Sequence, residues 1–122
     1  MRISFVLALV LVPAVASADK EYAGAKATWD CDKDPVIKIT KGSGTYTFTG
    51  ACKSIDVQGG DNTLHITTVE SINVIGGGNV IDIGEVQAIS VNGAGNKIIW
   101  KKAKNDKPTV NVIGNNNTVA RG

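Results

Sequence analysis

A unit of about 17 residues recurs along this chain, and that period constrains its fold more than any other feature. Ser54-Ile55-Asp56-Val57-Gln58-Gly59-Gly60-Asp61-Asn62-Thr63-Leu64 is answered 17 residues later by Ser71-Ile72-Asn73-Val74-Ile75-Gly76-Gly77-Gly78-Asn79-Val80-Ile81. Another 17 residues bring Ala88-Ile89-Ser90-Val91-Asn92-Gly93-Ala94-Gly95-Asn96-Lys97-Ile98. After an insertion of four residues comes Thr109-Val110-Asn111-Val112-Ile113-Gly114-Asn115-Asn116-Asn117-Thr118-Val119. A fixed period of this size marks a repeat architecture, in which no unit buries its apolar face alone and neighbours must stack.

The alternating apolar positions define the columns of such a stack. Ile37, Ile55, Ile72, Ile89 and Val110 make one, and Ile39, Val57, Val74, Val91 and Val112 the next. Beyond the turn come Tyr46, Leu64, Ile81, Ile98 and Val119, then Phe48, Ile66, Ile83 and Trp100. A fifth column holds Ala51 or Cys52, then Val69, Val86 and Ala103. Polar residues (Asp56, Asn73, Ser90, Asn111) lie between the first two columns. Two-residue alternation with β-branched residues signals strands with one buried face, and no segment of period 3.6 suggests a helix. The expected fold is all-β: a right-handed parallel β-solenoid of about five 17-residue coils, at residues 36–122. An antiparallel β meander turned by Gly-Gly-Asp-Asn and Gly-Gly-Gly-Asn is the alternative. Identical residue types at identical slots favour stacking, because a meander would pair different columns.

Two slots carry the turn. Gly59, Gly76, Gly93 and Gly114 fall where each strand must reverse, and glycine tolerates positive φ there. Asn62, Asn79, Asn96 and Asn117 follow in a shared position. An amide both donates and accepts, so stacked copies are expected to bond one another and the turn backbone as a structural asparagine ladder.

Residues 1–18 stand apart. Arg2, the apolar run from Ile3 to Val12 and the small residues Ala16-Ser17-Ala18 form the pattern of a secretory signal peptide cleaved near Ala18. The protein is therefore expected to be periplasmic or extracellular, with residues 19–35, including Trp29, as an N-terminal cap. Without Arg2, the 13 Lys+Arg become 12 against 11 Asp+Glu, so net charge points to no nucleic-acid or membrane partner. In an exported chain the two cysteines, Cys31 and Cys52, are expected to form a disulfide. Closing that loop stabilises the fold by about 3 kcal/mol in the chain-entropy model.

The spacing of Val57-Gln58-Gly59-Gly60-Asp61-Asn62-Thr63-Leu64 and its copies, with Thr49-Gly50-Ala51-Cys52-Lys53-Ser54-Ile55, resembles a bacterial family. It is known only as domain of unknown function 3060, whose exported members are rich in V-x-G-x-x-N-x-V units. The resemblance spans about residues 27–119. It departs at Val80 and Lys97, where the family usually has Thr. It implies an exported β-solenoid-like domain and carries no activity or site residue with it.

Candidate chemistry is sparse. His65 shares its slot with Asp82 and Ile99, so it is expected to face outward. Asp56, Asp61, Asp82 and Glu85 fall in different columns, with no pair placed for acid/base work. Gly76-Gly77-Gly78-Asn79-Val80-Ile81-Asp82 echoes a calcium-binding β-roll, yet its Asp does not recur. No catalytic residue, metal or cofactor is therefore expected.

The insertion is the functional lead. Lys97, Lys101, Lys102, Lys104 and Lys107 cluster around it, and solenoid insertions emerge as loops that often carry function. Five ammonium groups suit an anion-binding loop for an envelope polymer or lipid. The expectation is an exported, non-enzymatic structural or binding module of the bacterial envelope, partnered by such a polymer or by another envelope protein. Nucleic acid is not expected. A carbohydrate-active β-helix enzyme is one alternative, which two carboxylates converging in one groove would favour. A self-assembling surface protein is another. Only three residues follow Val119, so either Trp100 covers the last layer or the C-terminal edge pairs between molecules.

Overall fold

The computed structural model describes residues 20–22 and 26–122, the backbone alone being described at 20–22 and 26. The expected signal peptide lies outside the described residues. Among the described residues nine strands follow one another: β1 (Lys20–Tyr22), β2 (Lys26–Asp30), β3 (Val36–Ile39), β4 (Thr45–Gln58), β5 (Thr63–Gly77), β6 (Val80–Ala94), β7 (Lys97–Lys102), β8 (Thr109–Ile113) and β9 (Thr118–Arg121). All their pairings are parallel, which removes the meander. The chain is a parallel β-solenoid.

Register confirms the columns residue by residue. Ile37 pairs with Ile55, Ile55 with Ile72, Ile72 with Ile89 and Ile89 with Val110. Across the turn, Tyr46, Leu64, Ile81, Ile98 and Val119 form an equally unbroken row. From turn two to turn five these side chains make one core, with Ile37, Ile55, Ile72, Tyr46, Leu64 and Ile81 all essentially solvent-free. Strands β4, β5 and β6 run through the corner between the two faces, which is why they reach 14 or 15 residues.

Among the described residues the stack has six turns, one more than the repeat reveals. Lys20 pairs with Ile37, and Ala27 and Trp29 pair with Tyr46 and Phe48. Residues 20–22 and 26–30 of the segment expected as a cap thus form the first described turn of the stack. In turn two, register shifts between Phe48 and Ala51. The extra residue is absorbed at Gly50, whose φ of 75° glycine accepts readily. That bulge settles the fifth column: Cys52 pairs with Val69 and is buried, while Ala51 is exposed.

Cys31 occupies the same inward position one turn below. The Cys31–Cys52 disulfide therefore links turns one and two, with Cα atoms 4.8 Å apart. That equals the spacing of neighbouring strands, so stacking alone brings the two thiols together.

Candidate functional site

The Gly-Asn side of the solenoid is fully engaged in holding itself together. The Oδ1 atoms of Asn62, Asn79, Asn96 and Asn117 accept the backbone N–H of Gly44, Asn62, Asn79 and Asn96, at 3.0–3.1 Å. Their Nδ2 groups donate to the carbonyls of Lys41, Gly59, Gly76 and Gly93, also one turn earlier. Asn79 and Asn96 also donate to the Oδ1 of the next asparagine, at 2.9 and 3.0 Å. Asn62, Asn79 and Asn96 are buried, so no ligand reaches them.

The glycine column is part of the same device. A Cβ on Gly93 would collide with the Gly76 carbonyl, the group that Asn96 bonds. Just before each asparagine the chain turns left-handed, at Asp61 (φ 58°), Gly78 (70°), Gly95 (70°) and Asn116 (60°). Asp and Asn are the non-glycine residues that tolerate this conformation best, which explains why they share that slot with glycine.

The lysines divide into two groups. Lys97 follows the asparagine slot at the start of β7, while Lys101 and Lys102 end that strand. Four residues of extended chain place Lys97 about 13 Å from Lys101. Lys101, Lys102, Lys104 and Lys107 remain together, all exposed, at the opposite corner of turn five. Among the described residues, none of these four ammonium groups has a carboxylate in ion-pair contact. The loop's own acid, Asp106, is instead held by Arg121 at 3.5 Å. The Arg121 guanidinium also donates to the Asp106 carbonyl and lies 4.7 Å from the centre of the Trp100 ring. Trp100 thus fills its own column in turn five and does not fold over the last layer.

This corner also forms a groove that the repeat alone does not reveal. Thr67, Thr68, Gly84 and Glu85 face Lys101 and Lys102 across a depression of about 260 Å³. Thr68 and Glu85 are shared with an adjoining hollow of about 150 Å³, where Glu70, Gln87 and Lys104 also line the wall. Gln87 donates to Glu85 at 3.5 Å and accepts the backbone N–H of Lys104 at 2.9 Å, tying the lysine loop to the groove.

The remaining acids do not assemble. His65 is exposed and lies 3.9 Å from Asp82, its register partner, on an open strand face. Asp56 accepts hydrogen bonds from Gln58 and Asn73. No group of three or more metal-ligating side chains occurs among the described residues.

The family model described as a protein of unknown function (DUF3060) matches residues 41–84. The resemblance read from the spacing is thereby shown for that stretch, which runs from the turn before β4 to Gly84 in β6. It is shorter than the 27–119 span that shares the spacing. Comparison with curated proteins finds no match, and neither does comparison with solved structures.

Proposed function

We propose that this protein is an exported, non-enzymatic binding module of the bacterial cell envelope, held to an anionic polymer or lipid surface by the turn-five corner. One observation carries the reading: four exposed lysines gather there, while Arg121 draws the loop's own carboxylate aside. Clustered ammonium groups on a rigid scaffold attract polyanions through summed charge, and salt weakens that attraction. The Cys31–Cys52 bridge suits an oxidising compartment outside the cytoplasm.

Co-sedimentation with isolated envelopes tests this at low and high salt. The protein should pellet at low salt and release at high salt. A variant with Lys101, Lys102, Lys104 and Lys107 all changed to Ala should stay in solution. Lys97→Ala, on the other side of the fold, should pellet like the parent. Equal pelleting of the fourfold variant would rule out the corner as the anchor.

A second reading, a carbohydrate-active enzyme, is favoured by the two carboxylates Glu70 and Glu85 in one groove. Paired carboxylates serve as acid and base in glycoside hydrolysis. Release of reducing ends from envelope polysaccharide, lost in Glu85→Gln, would support it over simple binding.

A further inference from the structure

We propose that the groove at the turn-five corner binds a hydroxyl-bearing polyanion, a sugar chain carrying carboxylate or phosphate groups, laid along the solenoid axis. This deepens the envelope reading and rests on its lysine corner, and it makes the ligand a glycan and not a lipid surface.

The groove follows from one missing side chain. Register places Gly84 between Thr67 in turn three and Lys101 in turn five. A Cβ on Gly84 would collide with the Thr67 carbonyl, so this rung stays bare. Thr67 and Lys101 face each other across two rungs, roughly 10 Å apart at the backbone. The depression of about 260 Å³ between them is close to the small end of ligand sites, roughly 300 Å³. The adjoining hollow reaches back to Ala51 and Cys52, so the two together follow the axis from turn two to turn five.

Charge selects the occupant. Glu85 and Lys102 are register neighbours, yet among the described residues neither is in ion-pair contact with any other group. Lys101 and Lys102 thus keep their ammonium groups for an anion. The Glu85 carboxylate accepts one long hydrogen bond from Gln87, at 3.5 Å, and keeps lone pairs for a hydroxyl donor. Thr67 and Thr68 add hydroxyls to the same wall, able to donate or accept. A ligand that offers hydroxyl donors beside Glu85 and negative charge one rung further satisfies both sides of the groove. A sugar chain with an acidic group does so. An anionic bilayer does not, because its flat, uniformly negative surface would press on Glu70 and Glu85, which stand beside the lysines.

Calorimetric titration at low salt, on protein recovered from cells expressing the full sequence, tests the proposal. The sugar probes are oligogalacturonate, which carries carboxylates, and phosphomannan, which carries phosphates. Polyglutamate of matched charge serves as a polyanion without hydroxyls, and phosphatidylglycerol vesicles as the lipid surface. One sugar probe or both should bind more tightly than polyglutamate by about tenfold or more, and their order tells carboxylate from phosphate. Glu85→Ala should weaken sugar binding about tenfold, since a hydrogen bond to a charged acceptor is lost. Plain charge attraction predicts the opposite sign, because removing a carboxylate beside lysines strengthens polyanion binding. Thr67→Trp fills the groove without changing charge. It should abolish sugar binding while leaving the weaker polyglutamate binding and the thermal transition in place. Tighter binding by Glu85→Ala, equal affinity for polyglutamate, or a preference for vesicles over both sugars overturns the glycan and leaves the lysine corner as a plain anchor. If no polyanion binds the parent, the corner fails along with the groove.

Discussion

Turns four and six carry nearly the same pattern, yet they differ sharply in burial. Ile72 and Val74 in turn four are 1% and 0% exposed, while Val110 and Val112, their equivalents two turns on, are almost half exposed. Both pairs sit on strands with the same alternation and the same following glycine and asparagine. Burial here belongs to the stack and not to the unit. A turn is stable in proportion to the neighbours it has, as expected of a one-dimensional array.

Substitutions that treat the two turns alike should therefore give unequal results. Ile72→Asp places a charge in the middle of the core and should abolish the cooperative unfolding transition seen by circular dichroism, whereas Val110→Asp should leave it nearly intact. Equal loss in both would break the comparison. Next comes the covalent contrast between the ends. Cys31→Ser with Cys52→Ser should cost about 3 kcal/mol in denaturant unfolding. Hydrogen exchange in that variant should rise first in turns one and two. Asn79→Ala should cost about 1–3 kcal/mol, since buried amide partners on both sides lose their bonds. Asn117→Ala, in the half-buried last rung, should cost less than half as much. The smallest effect belongs to Val112→Thr, within about 0.5 kcal/mol, as for exposed substitutions generally.

Much of this was legible in the residues. Every column from Ile37 onward is in register as the period implies, because identical slots at a fixed spacing leave parallel stacking few competitors. The asparagine slot and the disulfide were also legible, each following from one residue type repeated or paired. Turn one was not, since it lacks the Gly-Asn signature and its inward positions include Ala27 and Trp29 in place of β-branched residues. The bulge at Gly50 was hidden too, as one inserted residue looks like a choice between Ala51 and Cys52 until register is known. The groove was harder still. Glu70 and Glu85 are separated by 15 positions, not by the period of 17, and line one hollow at the corner where Thr67 and Gly84 lie. The lysines looked like one cluster in sequence, but strand length carries Lys97 to the far side.

The asparagine ladder has a direction, and that direction bears on the order of synthesis. Each amide completes the turn made before it: Asn79 satisfies Asn62 and Gly59, and Asn96 satisfies Asn79 and Gly76. Synthesis delivers the N-terminal turns first, so turns two to five each emerge without the side chain that finishes them. Wherever the chain folds, each of these turns closes only when the asparagine of the next turn is in place.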